Sequence, residues 1–300
     1  MPSTPSTPSP NAHRAASPTT QLLTLADGRT LAVDTAGPDD GEVVVFLHAA
    51  PGSRRFDPDP AVTEAAGIRL VTIDRAGYGS SSPLAPEAIP SVAAHADDVA
   101  AALLQLGLDD VAMAGWSAGG RVALAVAARH PDLVRSVAVV GTPAPDDEVP
   151  WVPEEHRALS QAMKADPAHA VETITEVFAQ GGDPGDSALG MVSGGDADAR
   201  ALGDADRRAR LLAMLAEGFR PGPAGVATDI VADQVVPWGF DVAAVGAPVA
   251  LFYGEDDAAV PPAHGRWYAD RAAASTLTVV PDAGHLVVMT EWEAILAALA

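Results

Sequence analysis

Short runs of consecutive apolar residues recur along most of the chain, and alanine-rich stretches with helical apolar spacing lie between them. The runs 42–47 (with Val43-Val44-Val45-Phe46), 68–73, 111–114, 134–140, 249–253 and 276–280 have strand length and are mostly continuous rather than alternating. Strands buried on both faces of a parallel sheet read this way. Two further runs, 21–26 and 29–35, flank Asp27-Gly28, a pair that favours a tight hairpin turn. The stretches 61–66, 91–106, 118–130, 262–273 and 290–300 read as helices. Within 91–106, Val92, Val99, Leu103, Leu104 and Leu106 fall broadly on one side and Gly107 ends the pattern, as Pro131 ends 118–130. Strands alternating with helices predict an α/β fold, a mostly parallel eight-stranded sheet with helices on both faces. Its ligand site belongs at the carboxyl ends of the strands.

The texture changes over 144–240. Valine-rich runs vanish, and helical stretches at 154–165, 168–178 and 205–219 alternate with Gly/Asp/Pro loops. This segment reads as a helical insertion that divides the core into 21–143 and 241–300. Residues 1–20 are rich in Pro, Ser and Thr without an apolar stretch, and read as a disordered tail instead of a signal peptide.

Composition narrows the classes of partner. The net charge is −22, from 40 acidic and 18 basic residues, and the insertion alone is net ten negative. A surface of that sign repels phosphate backbones, so no nucleic-acid partner is expected, and anionic substrates are disfavoured. The absence of cysteine excludes disulfides and thiolate chemistry, and no run of eighteen apolar residues suggests a membrane span. A cytoplasmic location and a small-molecule substrate are expected.

Candidate chemistry centres on Gly115-Trp116-Ser117-Ala118-Gly119-Gly120, between an apolar run and a helix. A serine at the apex of a strand–turn–helix is the setting of a nucleophile elbow, where small residues two before and two after relieve a strained turn. A serine hydroxyl needs a base, and the base needs a carboxylate to orient it. Gly254-Glu255-Asp256-Asp257 follows one later strand and Ala283-Gly284-His285 the next, which puts both on the rim that carries Ser117. Asp257 is the expected acid, with Asp256 and Asp146 as alternatives, and His285 is the expected base. His48 reads as a residue that stiffens its loop, and Asp74 and Arg75 as a structural turn with an ion pair. His13, His95, His130, His156, His169 and His264 read as tail, helix-face or loop residues. No metal-ligand spacing is present, with Asp196-Ala197-Asp198 lacking the rest of a calcium loop.

From about residue 21 to 300 the chain resembles the capped branch of the α/β-hydrolase fold superfamily. His48-Ala49-Ala50-Pro51-Gly52 is similar to its H-G-x-P-G loop, and Asp74-Arg75-Ala76-Gly77-Tyr78-Gly79-Ser80 to its D-x-x-G-x-G-x-S turn. The elbow, the Gly254–Asp257 acid loop with Val260-Pro261, and the terminal Gly284-His285 complete five ordered motifs. The resemblance implies a Ser117–His285–Asp257 triad, oxyanion donors on the Ala50 and Ala118 amides, and 144–240 as a cap over the site. It implies no cofactor. His48, Ala49, Trp116, Trp151 and Trp238 are the expected pocket lining. Ala49 departs from the family's glycine, and its methyl is expected to reshape or tighten the oxyanion loop. The activity implied is hydrolysis of a small-to-medium, largely uncharged ester. Other readings of the resemblance are a proline-iminopeptidase-like aminopeptidase, for which Glu154-Glu155 would hold the amine, a C–C hydrolase or lyase, and a non-catalytic binding member of the fold.

Overall fold

The computed structural model describes residues 18–180 and 188–300, and strand pairing organises it. Eight strands, β1 (Thr19–Thr24), β2 (Thr30–Ala36), β3 (Glu42–Leu47), β4 (Ile68–Ile73), β5 (Val111–Trp116), β6 (Val134–Val140), β7 (Val249–Gly254) and β8 (Ser275–Val280), form one sheet in the order β1-β2-β4-β3-β5-β6-β7-β8. The β1–β2 and β2–β4 pairs are antiparallel, and every other pair is parallel. The Asp27-Gly28 turn joins β1 to β2 as expected, with Gly28 at φ +88°. Thr19 and Thr20 belong to β1, which takes them out of the expected tail. The rest of that tail up to Ser17, His13 included, lies outside the described residues.

Both faces of the sheet are covered because successive strand residues point to opposite sides. Val45, Leu47, Met113, Val137 and Val139 pack with α2 (Val92–Leu106), α3 (Ala118–Arg129) and α10 (Ala263–Ala269). Val44, Phe46, Ala112, Ala114 and Val140 pack on the other side with α1 (Pro60–Ala65) and α12 (Trp292–Ala297), where Trp292, Ile295 and Leu296 are buried. The Ser91 hydroxyl caps α2 by accepting the Ala94 amide at 3.1 Å, and Gly107 ends it at φ +67°.

Between β6 and β7 lie α4 (Glu154–Ala165), α5 (Pro167–Gln180), α6 (Leu189–Val192), α7 (Gly195–Ala201), α8 (Ala205–Phe219) and α9 (Ala224–Gln234). Three of them, α6, α7 and α9, were not expected as helices. The reason for α9 is visible in its burial: Val226, Ala227, Thr228, Asp229, Val231 and Ala232 are all buried, so no apolar stripe marks it. The expected helix 290–300 shortens to α12, with α11 (Val287–Thr290) ahead of it, and 262–273 shortens to α10.

Candidate active site

Three loops at the carboxyl ends of parallel strands approach one another. In the β5–α3 turn, Ser117 has φ +54° and ψ −123°, a conformation that side-chain-bearing residues rarely adopt. Glycines make the turn possible. A Cβ on Gly115 would stand 2.4 Å from the Gly119 carbonyl, and one on Gly119 would stand 2.1 Å from the Leu47 oxygen. The Ser117 amide donates to the Val140 carbonyl at 2.8 Å, and the Ser117 carbonyl accepts the Thr142 hydroxyl at 2.8 Å. The end of β6 thus fixes the turn, and Ser117 is left half-buried ahead of the first turn of α3, whose free N–H groups favour negative charge.

The loop after β8 supplies His285 and the loop after β7 supplies Asp257. His285 Nδ1 lies 2.7 Å from Asp257 Oδ2, while Asp257 Oδ1 accepts the Ala259 amide at 2.9 Å and the Val260 amide at 2.7 Å. A carboxylate on Nδ1 selects the Nδ1–H tautomer and leaves Nε2 as the basic nitrogen. Gly141, at φ +54°, gives the ring its space, since a Cβ there would meet His285 Nδ1 at 3.2 Å. Trp116 Nε1 donates to the His285 carbonyl at 3.0 Å. Burial opposes charge on His285, but the Asp257 carboxylate, its hydrogen bond and the charge of Asp198 outweigh it, raising the imidazole above its ordinary 6.5. Burial likewise opposes charge on Asp257, and the His285 charge and hydrogen bond prevail to hold it below its ordinary 3.8. The rival acids are elsewhere: Asp256 is exposed, and Asp146 accepts the Trp151 and Val152 amides at 2.7 and 2.6 Å.

This geometry can be set against known proteins. A family model described as the alpha/beta hydrolase fold matches residues 42–291. The chain belongs to the α/β-hydrolase fold family. It is similar to the pimeloyl-[acyl-carrier protein] methyl ester esterase of Aromatoleum aromaticum, 32% identical over 225 residues that cover 73% of this chain and 81% of that one. The protein of the same name from Chromobacterium violaceum is 30% identical over 272 residues, covering 90% and 96%. Among solved structures, a hydrolase from Pseudomonas aeruginosa PA01 superposes with a TM-score of 0.72 at 20% identity, over 96% of this chain and 97% of its own. That last likeness is one of fold.

Within this α/β-hydrolase, the loop that carries Ala50 lies directly on the first turn of α3, where Ala118 is: the missing side chain of Gly119 faces the Leu47 and His48 carbonyls. The five residues expected to line the pocket fall into two groups. His48, Ala49 and Trp116 are 1%, 0% and 0% exposed, so none of them walls an open pocket. The Ala49 methyl is part of the apolar layer with Phe46, Phe56 and Trp116. Trp151 and Trp238 line a separate cavity of about 590 Å³ whose wall contains none of Ser117, Asp257 and His285. Trp238 stacks on Phe240 at 5.9 Å and covers the Arg121 guanidinium at 4.6 Å, which draws it to the α3 side. Glu154 and Glu155, the amine-holding pair of the aminopeptidase reading, are exposed on α4, with Glu154 paired to Arg157 at 2.8 Å.

Asp198 and Asp229, which the sequence left without a role, touch these loops, and Arg75, expected in a structural turn with an ion pair, finds its partner in Asp229 while Asp74 pairs with Arg54. Asp198 of α7 accepts the Leu286 amide at 2.9 Å, next to His285, and the Gly194 amide at 2.8 Å. Arg75 and Asp229 form a buried ion pair under the His48–Ala50 loop, with Arg75 Nη2 and Asp229 Oδ2 2.5 Å apart. The one signal for Asp229 in the sequence is a carboxylate in the apolar run Val226 to Val231, since an acid there requires a partner.

Proposed function

We propose that this α/β-hydrolase cleaves a small-to-medium, largely uncharged carboxylic ester through an acyl-enzyme on Ser117. The observation that carries the reading is the Asp257–His285 hydrogen bond at 2.7 Å, on the same strand ends as the strained Ser117 turn. His285 Nε2 takes the hydroxyl proton as Ser117 Oγ attacks the ester carbonyl carbon, and Asp257 stabilises the imidazolium. The Ala50 and Ala118 amides receive the developing oxyanion. Collapse of the tetrahedral intermediate breaks the bond to the alcohol oxygen, which leaves with the proton from His285. Water then attacks the acyl carbon while His285 takes its proton, and Ser117 departs with that proton restored. Protein groups and water suffice for these steps.

The relatives' name specifies a methyl ester, which supports a small alcohol as leaving group. The charge of −22 supports a neutral acyl portion, because an anionic ester would approach against the field of the molecule. The insertion serves as the cap that bounds the acyl site. Among the described residues no helix is long and apolar enough to cross a membrane, and a cysteine-free chain suits a cytoplasmic setting.

A p-nitrophenyl ester series from acetate to long acyl chains tests the proposal. It predicts turnover with a chain-length optimum, and a fall in kcat of roughly 10⁴ to 10⁶ in Ser117→Ala. Turnover that survives this substitution unchanged contradicts it.

A further inference from the structure

Beneath the loop that follows β3, four side chains are buried together, with His95 of α2 beside them at 3.5 Å from Asp229 Oδ1, and the hydrolytic steps use none of them. Arg75 is 2% exposed and spends its whole guanidinium inside the protein. Nη1 donates to the His48 carbonyl at 2.6 Å, Nη2 to the Ala49 carbonyl at 3.0 Å, and Nε to Asp229 Oδ1 at 3.0 Å. Asp229 Oδ2 accepts from Nη2 at 2.5 Å and from the Tyr78 hydroxyl at 2.8 Å. Asp229 comes from α9, which is seated on Tyr78: a Cβ on Gly225 would be 2.7 Å from that ring. His48 is the fourth member. Its Nε2 faces the Arg75 amide at 3.4 Å and its Nδ1 lies 2.7 Å from the Ala49 carbonyl. Burial and the Arg75 charge drive the His48 pKa far down, so the ring is neutral and Nδ1–H is the donor.

The Ala49 carbonyl therefore accepts two hydrogen bonds, one from a cation. That carbonyl and the Ala50 N–H are the two ends of one peptide group. Hydrogen bonds to a peptide oxygen polarise the group and strengthen its N–H as a donor, most of all in a dry, low-dielectric setting.

We propose that Arg75, locked by Asp229, polarises the Ala49–Ala50 peptide and orients it, so that the Ala50 N–H is a stronger oxyanion donor than an ordinary loop amide. Arg75 is a positioning residue and does not touch the substrate. The inference rests on the reading of Ala50 as an oxyanion donor.

Two variants test it: Arg75→Gln, and the pair Arg75→Gln/Asp229→Asn, which leaves no buried carboxylate unpaired. Ester kinetics are measured beside inhibition by a trifluoromethyl ketone, whose adduct with Ser117 bears an oxyanion. In the folded pair variant kcat is expected to fall about 10- to 100-fold, less than or comparable to the loss of a whole donor. KM stays within about twofold, ketone affinity falls in step with kcat, and the acid limb of the pH profile stays in place. A purely structural role would lower the melting temperature and leave kcat per folded enzyme and ketone affinity unchanged. That outcome in the pair variant overturns the proposal. Absence of Ser117-dependent turnover in the unmodified enzyme would instead remove the oxyanion reading itself, and this inference with it.

Discussion

Two carboxylates act on the His285 imidazole from different directions. Asp257 binds Nδ1, and Asp198 reaches over from the insertion to hold the following amide, Leu286, at 2.9 Å. Gly284 accommodates it, because a Cβ there would be 2.3 Å from Asp198 Oδ1. Both charges favour the imidazolium, and only the neutral ring can act as base. The rise of kcat/KM with pH should therefore be centred above the ordinary 6.5, in line with the raised pKa of His285. Asp198→Asn removes one of the two charges, so its acid limb should move to lower pH with the plateau kept within a few-fold. Profiles of both enzymes from about pH 5 to about pH 9 check this, and a limb that does not move would show that the Asp198 charge has no effect on the ring. The Ala49 methyl, by contrast, lies in the core with Phe46, Phe56 and Trp116.

The elements meet through glycines, and this sets a prediction at their scale. The β3 loop and α3 are so close at Gly119 that a Cβ there would lie 2.1 and 2.6 Å from the Leu47 and His48 oxygens. Gly119→Ala should cost about 1–3 kcal/mol, a melting temperature several degrees lower, together with lost activity. Gly246→Ala, where nothing lies within 4 Å of the added methyl, should melt at or slightly above the unmodified protein. Equal melting of the two variants would contradict this account of the elbow. The strands and the Ser117, Asp257 and His285 loops were legible in the sequence because each is a local pattern: an apolar run followed at once by a motif. The Arg75–Asp229 pair was not, since its members are 154 positions apart and α9 is apolar on most sides. An aromatic residue in the insertion carries no signal in the sequence of the surface against which its ring packs. Trp151 and Trp238 accordingly lie at a different cavity.

Across the whole molecule, the insertion is fastened to both loops that flank Ser117. Ser53 donates to the Met214 carbonyl at 2.7 Å, Arg54 pairs with Glu217 at 2.7 Å, Arg75 pairs with Asp229, and Asp198 holds Leu286. A Cβ on Gly218 of α8 would stand 2.4 Å from the Gly52 carbonyl, so the contact is close as well as polar. Core and insertion therefore meet at the loops after β3, β4 and β8. If His285 activates Ser117, a fluorophosphonate probe followed by peptide mapping should mark one residue, Ser117, with no labelling in Ser117→Ala and slow labelling in His285→Ala. A probe adduct at another residue, or unmodified Ser117 in an enzyme that turns over esters, would contradict it.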